Sequence, residues 1–177
     1  MADISNLKER AEAYLTEGKL ELAKECYLEA IALSPNQAQL YYKLGEVCGQ
    51  QEKWNDAVDA YLQAIRINPN FYRSYYKLGD VLTQLGSYRQ AVEAYKMAIK
   101  IQPEFPWSYQ KLGEVLMGLE NWEDALACFI QLLQIKPERH PTYKKTIADM
   151  LEKQGKLKAA QSWKESFKLP QDVVKKY

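Results

Sequence analysis

Three lysines and three acidic residues recur in this sequence at a fixed spacing, and their types are the ones best suited to chemistry. Each lysine is followed three residues later by an acid, and successive pairs are 34 residues apart: Lys43 and Glu46, Lys77 and Asp80, Lys111 and Glu114. On one helix this spacing brings the two side chains together, so each pair can form a weak salt bridge. Two interpretations stay open. The pairs are either solvated intrahelical contacts or a polar surface whose lysines bind carboxylates and whose acids bind amides or basic groups.

Two of these carboxylates could also form a catalytic pair, as in glycosidases. Retaining enzymes need carboxyl groups about 5–5.5 Å apart and inverting ones about 6.5–9.5 Å, whereas neighbouring helices pack about 8–10 Å apart. Each acid has a lysine neighbour that keeps its pKa low, which does not suit a general acid. The one histidine, His140, precedes Pro141 in a predicted turn, and no phosphate loop, nucleophile elbow or zinc-protease motif occurs. We therefore predict no enzyme activity, no cofactor and no metal site.

A 34-residue repeat supplies the elements that position these residues. Its other markers are Leu44-Gly45, Leu78-Gly79 and Leu112-Gly113, then Ala57, Ala91 and Ala125, then Pro35, Pro69, Pro103 and Pro137. Apolar residues at three- and four-residue steps predict two amphipathic helices per unit. A glycine such as Gly18 can adopt the left-handed turn between them, and the proline ends the second helix. A period of this length indicates a solenoid, in which each unit buries its apolar face against its neighbours.

The repeat predicts one all-α domain over residues 1–177, built from about five antiparallel helix pairs. The repeats are expected at residues 4–37, 38–71, 72–105, 106–139 and 140–170. The fifth lacks a Leu-Gly pair and is interpreted as a degenerate C-terminal cap, with an apolar stripe of Leu157, Ala160, Trp163 and Phe167. Residues 171–177 are predicted to be a frayed tail. A capping box of Ser87 and Gln90 predicts a helix start near Tyr88, and Pro106 suits a first helical position.

Each repeat has small residues on both of its helices and aromatic residues on its second helix. The glycines of the Leu-Gly pairs predict a close approach to the second helix. Aromatic residues one turn after each repeated alanine are expected to fill the groove to the next repeat: Tyr27, Tyr61, Tyr95 and Phe129. Trp54, Tyr88 and Trp122 are expected to do the same at the start of each second helix. At strict repeat spacing these aromatic residues indicate packing rather than a cofactor surface.

The complete pattern resembles the tetratricopeptide repeat family. In repeat three it comprises Tyr75, Leu78-Gly79, Leu82, Ala91, Tyr95, Ala98 and Pro103. Repeats two to four match closely, and repeat one has Ala11 in place of the glycine. The resemblance implies a right-handed superhelix whose first helices line a concave groove. It also implies a protein–protein interaction scaffold that binds a peptide or protein, with the arm of a larger glycosyl- or sulfotransferase-type enzyme as an alternative.

The resemblance also implies which residues face the groove. The expected peptide-binding residues are Tyr42, Lys43, Glu46, Arg73, Tyr76, Lys77, Asp80, Trp107, Gln110, Lys111 and Glu114. With three lysines among them, the expected partner is acidic or carries a carboxylate.

Two subtypes of the family bind ligands through asparagines, and the sequence departs from both. A chaperone-tail adaptor grips a terminal carboxylate from positions that match Lys8, Glu12, Lys43, Arg73 and Lys77. Here the bases are partly present, but Glu12 and Lys43 replace asparagines, and the acid would repel a carboxylate. A chaperone-tail-binding adaptor is therefore kept as a second alternative. The asparagine ladder of the glycosyltransferase arms is replaced by lysine.

Charge and cysteine content limit the remaining classes of partner. The formal net charge of +1 and pI of about 7.6 give no overall field for nucleic acid or an anionic membrane, although Tyr42, Tyr76 and Trp107 could stack on bases. The longest apolar run, residues 125–130, is far short of a membrane span. Cys26, Cys48 and Cys128 match no disulfide or metal framework, which favours a reducing, cytoplasmic location. Self-association is compatible with the sequence.

Overall fold

Antiparallel helix pairs make up the whole of the described structure. The computed structural model describes residues 3–166, and within that range it contains ten α-helices, one 3₁₀ turn and no strand. The chain forms two compact units, Met1–Ile101 and Gln102–Tyr177. The first contains α1 (Ile4–Thr16), α2 (Leu20–Leu33), α3 (Ala38–Gln50), α4 (Trp54–Ile67), α5 (Tyr72–Gln84) and α6 (Tyr88–Ile101). The second contains α7 (Pro106–Gly118), α8 (Trp122–Ile135), a 3₁₀ turn (Pro137–Arg139), α9 (His140–Lys153) and α10 (Leu157–Ser166).

Each first helix packs on the second helix of its own repeat, and within a unit each second helix packs on the first helix that follows. The all-α solenoid of paired helices is therefore confirmed. The helix starts at Tyr88 and Pro106 are also as predicted. The single domain over residues 1–177 stays a prediction.

The turn between the two helices of a repeat is a Schellman motif. At the end of α1, the Lys19 amide donates to the Tyr14 carbonyl at 2.8 Å and the Gly18 amide to the Leu15 carbonyl at 3.1 Å. Gly18 has a φ of 72°, so the predicted left-handed turn is confirmed. The residues at the corresponding positions of repeats two and four are Glu52 and Glu120, each with a φ of 58°. These two turns were not predicted, because the left-handed conformation is expected of glycine and not of glutamate.

The Leu-Gly glycines lie against the aromatic ring of the second helix. A Cβ added to Gly45 would lie 2.6 Å from Cε1 of Tyr61. A Cβ added to Gly79 would likewise lie 2.6 Å from Cε1 of Tyr95, and one added to Gly113 would lie 2.9 Å from Cε2 of Phe129. The predicted close crossing is confirmed, but the partner is a ring rather than the opposite backbone. These rings are among the most buried side chains of each unit.

The fifth repeat is helical and only partly follows the predicted stripe. Ala160 and Trp163 are buried, and the Trp163 indole donates to the Lys144 carbonyl at 2.9 Å. Leu157, in contrast, is 66% exposed, so its placement in the stripe was wrong. It is the first residue of α10, where the helix has not yet reached α9. Phe167, Pro170 and the tail at 171–177 lie outside the described residues.

The aromatic residues at the starts of the second helices are less buried than predicted. Tyr88 is 46% exposed, while Trp54 and Trp122 are half-buried. Trp122 stacks under the ammonium of Lys153, which lies 3.7 Å from the ring centroid. The expected groove-filling role is therefore wrong for Tyr88. Across residues 3–166, no helix combines the length and apolar character that a membrane span requires.

Candidate functional site

The predicted site residues lie on the first helices of repeats two to four. In the first unit, α3 carries Tyr42, Lys43 and Glu46, and α5 carries Arg73, Tyr76, Lys77 and Asp80. In the second unit, α7 carries Trp107, Gln110, Lys111 and Glu114.

In repeats one and three, a buried tyrosine of the second helix donates a hydrogen bond to the acid of the first helix, whereas in repeat two the donor to Glu46 is Tyr42 rather than Tyr61. The Tyr27 hydroxyl donates to Oε1 of Glu12 at 2.7 Å, and the Tyr95 hydroxyl donates to Oδ1 of Asp80 at 2.8 Å. Burial raises the pKa of both tyrosines, and the neighbouring carboxylates add to the increase, so the hydroxyls remain donors. Each carboxylate is thereby held in a defined orientation.

Repeat four lacks this contact because the corresponding aromatic residue is Phe129, which has no hydroxyl. Glu114 instead accepts from Nε2 of Gln110 at 2.8 Å and from Nζ of Lys111 at 2.9 Å. The signal was present in the sequence, since each acid precedes the repeated aromatic residue by 15 positions. The tyrosines were predicted to be packing residues and the acids to be surface residues, so the hydrogen bonds between them were not predicted.

Lys43 joins two repeats. Its Nζ lies 3.1 Å from Oε1 of Glu12 on α1 and 3.3 Å from Oε2 of Glu46 on α3. Burial alone would raise the pKa of Glu12, but the hydrogen bonds from Tyr27 and Lys43 outweigh it and hold the pKa below its ordinary value. The predicted intrahelical pair with Glu46 is confirmed, and the contact with Glu12 is an addition that links α1 to α3.

Tyr42 is part of the packing between repeats, not an open groove residue. Its side chain is 7% exposed, and its ring centroid lies 5.1 Å from that of Phe71 and 5.9 Å from that of Tyr61. Its hydroxyl donates to Oε1 of Glu46 at 3.1 Å. Burial raises the pKa of Tyr42. Because the ring is covered, the sequence-based expectation that Tyr42 faces a ligand needs correction.

Arg73 and Lys77 form a different arrangement on α5. The predicted pair of Lys77 and Asp80 does not form, and across residues 3–166 neither cation has a carboxylate within salt-bridge distance. Lys77 instead lies 5.9 Å from the ring centroid of Tyr76, and Arg73 lies 5.8 Å from that of Tyr72. One turn apart on the same helix, the two cations are neighbours. They provide donors that no described acid uses.

A groove of about 490 Å³ lies where α1 faces α3. Tyr27 and Leu40 provide its apolar lining, and its polar lining consists of Ser5, Lys8, Glu9, Glu12, Gln39 and Lys43. Lys8 and Glu12 were considered in the sequence analysis as positions of a carboxylate clamp. In the structure Glu12 and Lys43 pair with each other.

In the second unit Trp107 is 41% exposed and Glu114 is exposed, while Gln110 and Lys111 are half-buried. A large exposed aromatic side chain beside polar groups is typical of an anchor residue at an interface. Within residues 3–166, no cluster of three histidine, cysteine or acidic side chains is arranged to hold a metal ion.

The sequence model of a family described as "TPR repeat" matches residues 11–52, 47–82 and 79–119, which together exceed half of the chain. The chain belongs to the tetratricopeptide repeat (TPR) family. The resemblance found in repeats one to four is therefore confirmed. No protein of curated function matches the sequence significantly.

Solved TPR structures share the fold at low sequence identity. The crystal structure of MamA superposes with a TM-score of 0.81 at 21% identity, covering 98% of this chain and 91% of the other. YrrB, titled a TPR protein with an unusual peptide-binding site, gives 0.74 at 21% identity, with 89% and 81% covered. The first TPR of Spaghetti (RPAP3), bound to the HSP90 peptide SRMEEVD, gives 0.64 at 20% identity, with 66% and 93% covered. At such identities the likeness concerns the fold of this TPR chain.

Proposed function

We propose that this TPR chain is a protein–protein interaction scaffold that holds an extended peptide segment against the polar faces of its first helices. The observation that carries the proposal is the pair of cations on α5, Arg73 and Lys77, which no described carboxylate neutralises. A folding role requires no such pair, because exposed cations contribute little to stability. Peptide binding by two structural relatives, YrrB and the first TPR of Spaghetti, supports the same function.

The cations on α5 favour an acidic or carboxylate-bearing partner. Two donors one turn apart can bind one carboxylate or two neighbouring acidic side chains. The rings of Tyr72 and Tyr76 beside them provide apolar surface for the partner's methylene groups. Within the first unit a further contact is proposed at Asp80 on α5. The second unit is proposed to bind by itself through Gln110, Lys111, Glu114 and the exposed Trp107 on α7.

The chaperone-tail alternative is less well supported by this geometry. The Glu12 carboxylate occupies one of the clamp positions with its negative charge, and it is paired with Lys43, which occupies another. We also propose that the chain itself is not an enzyme, since the acids near one another are held by lysine or tyrosine donors. The burial of Cys26, Cys48 and Cys128 in the helix packing supports a reducing compartment such as the cytoplasm.

Selection from a displayed library of short random peptides tests the proposal. The test variant combines Arg73→Ala and Lys77→Ala. The control combines Arg89→Ala and Lys100→Ala, which removes the same charge from exposed positions on α6. The wild type and the control should enrich peptides with acidic residues, and the test variant should not.

Binding of a selected peptide should also weaken with salt in the wild type, because exposed charges are screened over about 8 Å at physiological ionic strength. In the test variant this salt dependence should be flatter. Failure of the wild type to enrich any peptide would count against the function, and equal enrichment by all three proteins would remove Arg73 and Lys77 from the site.

A further inference from the structure

The groove between α1 and α3 has a different electrostatic character from α5. Three carboxylates, Glu9, Glu12 and Glu46, lie in or beside it, against two ammonium groups, Lys8 and Lys43. Lys43 is already shared between Glu12 and Glu46. A negatively charged ligand would therefore meet three carboxylates, with Lys8 as the ammonium group that no described acid pairs with.

Only one of the two carboxylate oxygens of Glu12 accepts hydrogen bonds from described residues. Its Oε1 accepts both the Tyr27 hydroxyl at 2.7 Å and the Lys43 ammonium at 3.1 Å. Among the described residues, Oε2 has no hydrogen-bond partner, although Glu12 lines the groove and its side chain is 51% exposed. The pKa of Glu12 is lowered, so the group stays ionised. The Glu12 carboxylate thus faces the groove in a fixed orientation, and its Oε2 can accept a hydrogen bond from a ligand.

Glu9 provides a second acceptor in the same groove. It lies three residues before Glu12 on α1, so the two carboxylates share one face of the helix. Across residues 3–166, Glu9 takes part in no salt bridge and no side-chain hydrogen bond. Tyr27 and Leu40 lie beneath the groove and are almost fully buried, so an entering side chain meets mainly the polar residues that line it.

We infer that this groove binds the lysine or arginine side chain of an extended peptide, with Glu12 Oε2 and the Glu9 carboxylate accepting from the cation. The inference rests on the proposed function and specifies its ligand. A partner segment then carries a basic residue for the α1–α3 groove and acidic residues for Arg73 and Lys77 on α5. This differs from recognition of a chain-terminal carboxylate, which would have to displace Glu12 from Lys43 or rely on Lys8 alone.

The experiment uses the same displayed library, in which every peptide is fused through its C-terminus and has no free terminal carboxylate. The test variant combines Glu9→Gln and Glu12→Gln, which keeps side-chain shape and removes two negative charges. The control combines Glu25→Gln and Glu29→Gln on the exposed face of α2, with the same change of charge. Circular dichroism verifies that all three proteins are folded.

The wild type and control should enrich a lysine or arginine at one position, and the test variant should lose this preference while it retains the acidic preference due to α5. For a selected peptide, replacing the basic residue by norleucine should weaken binding to the wild type roughly tenfold, as expected for a lost charged hydrogen bond. The same replacement should change binding to the test variant little.

A wild type that enriches peptides without a basic residue would overturn the inference and leave the proposed function standing, and so would a basic preference unchanged in the test variant. If no protein enriches any peptide, the proposed function fails and the inference fails with it.

Discussion

Gly79 lies directly against the ring of Tyr95, so closely that a Cβ on Gly79 would be 2.6 Å from Cε1 of the ring. This contact joins the two helices of repeat three. In repeat one the residue at the glycine position is Ala11, which is fully buried beside an equally buried Tyr27. A methyl group can therefore be accommodated at this position only where the rest of the repeat is adjusted to it.

We expect Gly79→Ala to destabilise the protein by about 1–3 kcal/mol, because the added methyl must displace the Tyr95 ring from a packed position. Urea unfolding followed by circular dichroism measures the change. Gly49→Ala is the matched control, since Gly49 is also helical and nothing lies within 4 Å of its added Cβ. That substitution should stabilise by about 0.5–1 kcal/mol through helix propensity. Equal changes in the free energy of unfolding for Gly79→Ala and Gly49→Ala would show that the contact between Gly79 and Tyr95 does not affect stability.

Glu52→Gly should stabilise the protein by roughly 1 kcal/mol. Glu52 has a left-handed φ of 58°, a conformation that costs a residue with a Cβ about 1–2 kcal/mol. The gain is reduced by the greater entropy of glycine in the unfolded chain. Gly86→Ala makes the reverse change at the same place in repeat three and should destabilise by a similar amount. Thermal unfolding of both variants tests the two predictions. A lower melting temperature for Glu52→Gly would contradict the expected gain in stability.

Tyr27→Phe should raise the pKa of Glu12 toward its ordinary value of 4.5. In the native protein the pKa of Glu12 is lowered, so its contribution to stability is present above 4.5 and is lost as the pH falls through the lowered value. Removing the hydroxyl donor should therefore reduce the acid-dependent part of the stability. Carbon NMR titration of the glutamate carboxyl groups measures the shift. Tyr109→Phe, in the second unit, serves as the control and should leave Glu12 unchanged.

Lys43→Met should cost more stability than Lys77→Met. Lys43 neutralises Glu12 and Glu46 together, whereas Lys77 contacts no described carboxylate. Because these groups are partly exposed, the difference should be at most about 1 kcal/mol. It should also shrink at high salt, where exposed charges are screened. Identical unfolding midpoints for the two variants at low salt would show that the link between α1 and α3 contributes nothing.

The fold was predictable because it depends on features that recur in register. Leu-Gly pairs, alanines and prolines at a constant period specify helix pairs regardless of any single residue. The turn positions were less predictable, since Glu52 and Glu120 adopt a backbone conformation that sequence reasoning reserves for glycine. There the Schellman hydrogen bonds hold an unfavourable residue in place.

The candidate site was predictable only in outline. Periodicity places Lys43, Lys77 and Lys111 at equivalent positions, but it does not reveal that Lys43 pairs with two acids while Lys77 lies over the Tyr76 ring and within salt-bridge distance of no described acid. Tyr42 has the spacing of a groove residue, yet Phe71 and Tyr61 cover it. Such differences arise from contacts between repeats, which the pattern of a single repeat does not contain.

The salt bridges of Lys43 also bear on how such a chain can be shortened. The lysine reaches the acid of its own helix and the acid of the preceding first helix, and both partners recur at the same positions in the next repeat. Deleting residues 38–71 joins Gln37 to Tyr72 and brings Lys77 into the position of Lys43, next to Glu12 and Asp80. Deletion of whole repeats, in multiples of 34 residues, thus keeps the relation of each lysine to the acid of the preceding first helix. A deletion of another length would shift that relation and leave each lysine only with the acid three residues later on its own helix.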